Sequence, residues 1–148
     1  MLSAMLGSTL NRSKSSTPPI PDPLCTSPMA ESRHVGVWID RPAEQVYAFA
    51  GDIDRLPQWA FPFAMALGDI RVEFATANEF GVLDHVVTLP SGKVIYVPMR
   101  VIPAGFGEPR CEVVLTLRRR DLTDEQFDAD AAAMAADLQR LKSLVEAD

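Results

Sequence analysis

The C-terminal stretch carries one apolar stripe that is too long to serve a small helical turn. Thr123 followed by Gln126 forms a capping box, and Asp124 and Glu125 occupy a first turn whose partial positive charge favours carboxylates. Phe127, Ala131, Met134, Leu138, Leu141 and Val145 then recur at alternating intervals of four and three. Arg140 and Lys142 lie near the C-terminal end, the favourable sign for the helix dipole. A helix of about 24 residues at 1.5 Å rise is about 36 Å long, enough to cross a whole sheet. One stripe of that length needs a broad apolar surface beneath it, so the rest of the chain must supply a sheet.

Upstream, the texture supports that requirement. "HVGVWID" alternates as a strand, with Val35, Val37 and Ile39 on one face. "DRPAEQVYAFAG" follows: Pro42 suits the first helical position, Val46, Phe49 and Ala50 make a stripe, and Gly51 is a stop. Asp52 is placed to cap a short second helix that Pro57 limits. After Trp59 the period becomes two, with strands expected near 68–76, 79–89, 93–102 and 109–119, and a further short one fitting around 62–66. The connections between them are short and leave no room for a helical crossover, so the sheet is antiparallel. The expected fold class is α+β: a curved antiparallel sheet of about five or six strands wrapped on one long C-terminal helix, with two short helices after the first strand.

Within the segment "GVLDHVVTLPSGKVIYVPMRV", residues 81–101, Asp84, His85 and Arg100 stand among valines. Adjacent strand residues point to opposite faces, so Asp84 and His85 cannot share one. If Pro90 pairs with Lys93, His85 shares a face with Tyr96 and Arg100. If Leu89 pairs with Lys93, Asp84 takes that place, because a one-residue slip exchanges the faces. Both registers are open to the sequence. Two explanations compete for the cluster: a structural ion pair, since a buried charge needs a partner, and a polar group orienting a ligand oxygen. The run "RRRD" at 118–121 reads as a strand end in water where charge protects an edge.

The bulk numbers remove several function classes. The chain has 148 residues and a formal net charge of -6, which disfavours binding to phosphate backbones. Two cysteines and two histidines, Cys25, Cys111, His34 and His85, cannot assemble a Cys/His metal site. Unpaired cysteines point to a reducing compartment, the cytoplasm. No apolar run approaches the roughly 20 residues of a membrane span. Residues 1–32 form a Pro/Ser-rich tail expected to be disordered, with "SSTPPIPDPLCTSP" unable to hold a helix or a central strand. The opening residues are Ser-rich and lack an acid before Asp22, a composition shared with transit peptides, and Met29 is an alternative start. The folded domain is expected over 33–148.

The order of elements, with "VWIDRPAEQVYAFAGDIDRLPQWA" (37–60), the segment 81–101 and "LTDEQFDADAAAMAADLQRLKSLV" (122–145), resembles the START-like superfamily, also called SRPBCC. That group includes the birch-pollen allergens and the polyketide cyclase/dehydrase proteins, and its fold is the helix grip. The resemblance covers 33–148, and its motifs are capping and packing residues that speak for fold rather than chemistry. It implies a hydrophobic cavity between sheet and long helix for a lipid, sterol or polyketide-like molecule. Five or six strands, where the full fold has seven, imply a narrower grip.

On this basis the ligand-binding candidates are Tyr96, Arg100, His85, Trp59, Phe127, Met134 and Leu138, the last three as the helix face that roofs the cavity. Stripes of this spacing are also ordinary core, and Trp38 and Trp59 also suit packing anchors. The first functional reading is a binding module for a small hydrophobic molecule, with no cofactor: no Gly-x-Ser-x-Gly elbow, phosphate loop or dinucleotide fingerprint occurs. The second is a cyclase or dehydratase in which His85 or Asp84 removes a proton and Arg100 stabilises an enolate. A third is a protein-interaction module with a solid core.

Overall fold

A computed structural model describes residues 31–60 and 69–148. The expected disorder of the tail (apart from Glu31 and Ser32), the alternative start at Met29 and the strand around 62–66 fall outside these residues. The elements run β1 (Ser32–Ile39), α1 (Ala43–Ala50), α2 (Leu56–Trp59), β2 (Arg71–Phe74), β3 (His85–Thr88), β4 (Val94–Val97), β5 (Met99–Pro103), β6 (Cys111–Arg118) and α3 (Asp124–Ala147). The strands form two antiparallel three-stranded sheets, β1-β6-β5 and β2-β3-β4. The expected α+β architecture, with two short helices after the first strand and one long helix at the end, is present.

The segment expected as one strand over 93–102 is instead broken at Pro98 into β4 and β5. The cause is the missing proline N–H. Thr116 donates its N–H to Pro98 O at 3.0 Å, and Pro98 cannot return the bond. On the other side the register of His85 opposite Val97 continues through a bridge between Val82 and Arg100. Leu83 N–H donates to Met99 O at 2.9 Å and Val101 N–H to Gly81 O at 2.8 Å. Residues 81–83 therefore stitch β3 to β5 and join the two sheets into one kinked surface. Gly81 is required there: its φ is 74°, and a Cβ would lie 2.1 Å from Val101 O.

Alternation sorts the sheet into two faces. Val37, Ile39, Leu83, Val87, Met99, Val101, and Cys111, Val113 and Leu115 of β6 point inward and are buried. Onto this face α3 lays Phe127, Leu138, Leu141 and Val145, all fully buried. The capping box is formed as the sequence indicates, with Gln126 N–H donating to Thr123 Oγ1 at 3.1 Å and Thr123 N–H to Gln126 Oε1 at 2.9 Å.

Four local expectations are corrected. Pro42 is the N-cap of α1, with ψ 147°, because its carbonyl already accepts from Gln45 and Val46. Asp52 caps only a turn, through Asp54 N–H at 3.0 Å, and α2 begins four residues later. The last turn of α3 holds no basic residue. Lys142 reaches sideways to Trp38 O at 2.7 Å and Arg140 to Trp59 O at 3.1 Å, so these cations fasten the helix to β1 and α2. Finally, β6 lies between β1 and β5, so "RRRD" guards no edge. Arg119 turns back to Glu31 at 3.1 Å and stands over the Phe127 ring at 5.6 Å, while Arg33 covers that ring at 4.2 Å.

Candidate ligand-binding site

Alternation along β3 and β4 sends His85, Val87 and Leu89, and Ile95 and Val97, to the inner face. Between that face and α3 the side chains do not close, leaving a cavity of about 240 Å³. Leu115 of β6 and Met134 of α3 line it, and α2 contributes Leu56 and Trp59. Polar groups border it at His85, at Asp130 and Asp137 of α3, at Arg118, the last residue of β6, and at Arg120 just after it.

His85 is buried against Phe74, with ring centroids 5.2 Å apart. Its Nδ1 lies 2.9 Å from Leu83 O, and a carbonyl only accepts, so Nδ1 carries the hydrogen. Burial lowers its pKa, against opposing effects of the Leu83 hydrogen bond and the Asp84 charge. The ring is therefore neutral near pH 7, and Nε2 is left with an open lone pair.

The register is the one in which Leu89 pairs with Lys93, with Leu89 N–H to Lys93 O at 2.9 Å. Asp84 consequently faces away from the cavity, on the side shared with Tyr96 and Arg100. Its Oδ2 accepts from Tyr96 Oη at 2.6 Å and from Arg100 at 3.0 Å, and its Oδ1 accepts from Met99 N–H at 2.9 Å. The hydrogen bond to Asp84 raises the Tyr96 pKa. The two ionisable neighbours thus do matching work on a broken ladder. In an unbroken one, Met99 N–H would return to Leu83 O; here Asp84 takes the donor and His85 takes the acceptor.

The candidate residues are accordingly divided. His85, Trp59 and Met134 line the cavity, and Tyr96 borders it while its hydroxyl turns to Asp84. Arg100 and Asp84 are on the opposite face, so His85 and Arg100 do not converge on one substrate; strand alternation separates them. Phe127 is clamped between Arg33 and Arg119, and Leu138 belongs to the core, both away from the described cavity wall. Trp38 is half exposed, with Arg110 5.2 Å over its ring, and anchors no core. Among the described residues no three His, Cys, Asp or Glu side chains gather as a metal site. Nor is any described helix long and apolar enough to cross a membrane.

No family model and no curated protein matches the sequence. Solved structures do match in shape. DynU16, a protein from the dynemicin biosynthetic locus, superposes with a TM-score of 0.59 at 16% identity over 78% of this chain. The chain spans 47% of that protein's length. Ara h 8.0201 superposes with a TM-score of 0.50 at 12% identity, over 80% of this chain and 99% of its own. The chain has the helix-grip fold.

Within that helix grip, Val87, Leu89, Ile95, Val97 and Leu115 escaped the sequence reading as cavity wall. Their signal was the inner-face alternation shared with His85, usable only once the register is known. Asp137 interrupts the apolar stripe of α3 beside Leu138; it is buried and paired to Arg140. Arg120 is hidden by its position in an arginine run, yet it is the sole described non-glycine residue with a positive φ, 52°.

Proposed function

We propose that this helix-grip protein is a cytoplasmic binding module for a small hydrophobic molecule, held between the inner sheet face and α3. The observation that carries the reading is the cavity of about 240 Å³ with walls of Val, Leu, Ile and Met and a few polar groups at its border. Sites for small molecules have this character, and the volume is just below their common range of about 300–1,000 Å³, which favours a compact ligand over a full sterol. Turnover has less support. The cavity holds one imidazole whose basicity burial reduces, and the arginine assigned to an enolate is on the other face.

The test is thermal-shift screening of the full chain against compact apolar acids, alcohols and aromatic ketones, beside a Val87→Trp variant that fills the cavity. Wild type gains Tm with at least one compound, whereas Val87→Trp folds and gains none. Equal gains in both proteins would place the ligand elsewhere and defeat the reading.

A further inference from the structure

His85 stands in the middle of an inner-face row, between Phe74 of β2 and Val97 of β4. The Phe74 ring leans on it with centroids 5.2 Å apart, so the imidazole is flanked within the sheet and its outer end rises from it. Nδ1, the nitrogen nearer the backbone, is bound to Leu83 O at 2.9 Å, two residues back along the chain. Nε2 is at the far end of the ring, and His85 lines the cavity. No described residue donates to Nε2. Trp59 Nε1 and Arg120 Nε also lack partners, but they are sealed from even a water molecule, and Nε2 is not. Since His85 as a whole is only 7% exposed, the surface that Nε2 keeps opens on the cavity.

Buried polar atoms are nearly always paired, so an open lone pair in an apolar space calls for a donor. With the hydrogen on Nδ1, Nε2 can only accept. Ketones and ethers also only accept, and a carboxylate has no hydrogen to give. An amine enters as a cation at neutral pH and loses its hydration against apolar walls. A hydroxyl remains: it is neutral and brings one donor.

We propose that the cavity selects a compact apolar molecule carrying a hydroxyl group, the hydroxyl donating to His85 Nε2 and the hydrocarbon body lying against Val87, Leu89, Ile95 and, across the cavity, Met134. This rests on the cavity being a ligand site and adds the chemical class of the ligand. From His85 to Leu89 the inner face runs for about 13 Å at a strand's rise of about 3.3 Å per residue, the length of a single ring with a short chain.

The experiment titrates 4-propylphenol and 4-propyltoluene, which has a methyl group in place of the hydroxyl, into the full chain labelled with nitrogen-15 histidine. The His85 Nε2 resonance is expected to move upfield with the phenol, as a lone pair does on accepting a hydrogen bond, and not to do so with the toluene. His34, bound to Thr116 Oγ1 on the outer face, is the internal control and moves with neither. Calorimetry then compares wild type with His85→Phe, which keeps an aromatic ring against Phe74 and removes the acceptor. The variant is expected to weaken the phenol about fivefold, the worth of one hydrogen bond, and to leave the toluene unchanged. If the phenol binds and Nε2 does not move upfield, its hydroxyl lies elsewhere, and the proposal fails while the cavity reading stands. If the ratio of the two affinities is the same in a folded His85→Phe as in wild type, or if the toluene alone binds wild type, the proposal fails in the same way. Should His85→Phe not fold, the labelled wild type decides by itself. If neither compound binds, both the proposal and the reading beneath it fall.

Discussion

Asp84 and His85 are adjacent residues with opposite orientations and one common cause. A proline in the neighbouring strand breaks a ladder, and each side chain takes over one stranded backbone group. Asp84 is 6% exposed and accepts three hydrogen bonds, so Asp84→Ala leaves Met99 N–H buried without an acceptor. A loss of about 2–3 kcal/mol in urea unfolding is expected, discounted from a fully buried pair because Arg100 is 44% exposed. Arg100→Ala is expected to cost about 1 kcal/mol and to leave ligand binding in the cavity unchanged, since Asp84 retains two of its donors. Binding abolished by Arg100→Ala in a folded protein would show that the outer face is part of the site. His85 supplies a pH dependence. Its folded pKa is below 6.5, so below that pH the unfolded chain takes up protons that the folded chain refuses. Stability is full above about pH 6.5 and declines as pH falls towards the folded pKa; His85→Gln is expected to flatten that part of a Tm-against-pH curve. The presence of these residues in a buried strand was plain from the sequence. Which of them met Arg100 was not, because the register depended on whether Leu89 or Pro90 paired with Lys93 across the turn.

The long helix was the most readable element, since its cap, its first-turn acids and its stripe are all local signals. Thr123→Ala removes the acceptor for Gln126 N–H and is expected to cost about 1 kcal/mol, measured by chemical denaturation against a Thr123→Ser control that retains it. A cost near zero in both would mean that packing of Phe127 between Arg33 and Arg119 alone holds the N-terminal turn. What the pattern misjudged on α3 were its cations. Arg140 and Lys142 were read by their distance from the helix end, whereas tertiary carbonyls of Trp59 and Trp38 claim them. The strands show the same division. Alternation located the described ones, although β3 begins at His85, six residues after the expected start at 79, and the split at Pro98 depends on which neighbours lie on either side of that proline. That information is non-local, and so is the central position of β6 that removed the edge role from the arginine run.

At the scale of the molecule, β6 is the strand on which a thiol can report the whole fold. Cys111 is fully buried, opposite Ile39 of β1 on one side and Pro103 of β5 on the other. Burial pushes its pKa up to about 11, so the thiolate needed for alkylation is scarce even where reagent arrives. Exposing it requires separating β6 from β1 or β5, and β6 also carries Leu115 of the cavity wall. In a Cys25→Ser background, which leaves Cys111 as the one thiol in the chain, native labelling is therefore expected to run through global opening and to accelerate with urea along the equilibrium slope. A ligand in the cavity binds only the closed form, so it slows labelling by a factor of one plus its concentration over Kd, about a hundredfold at a hundred times Kd. Labelling that is fast, or indifferent to both urea and a ligand known to bind, would mean that β6 opens locally. The sheet and the cavity would then be separate cooperative units.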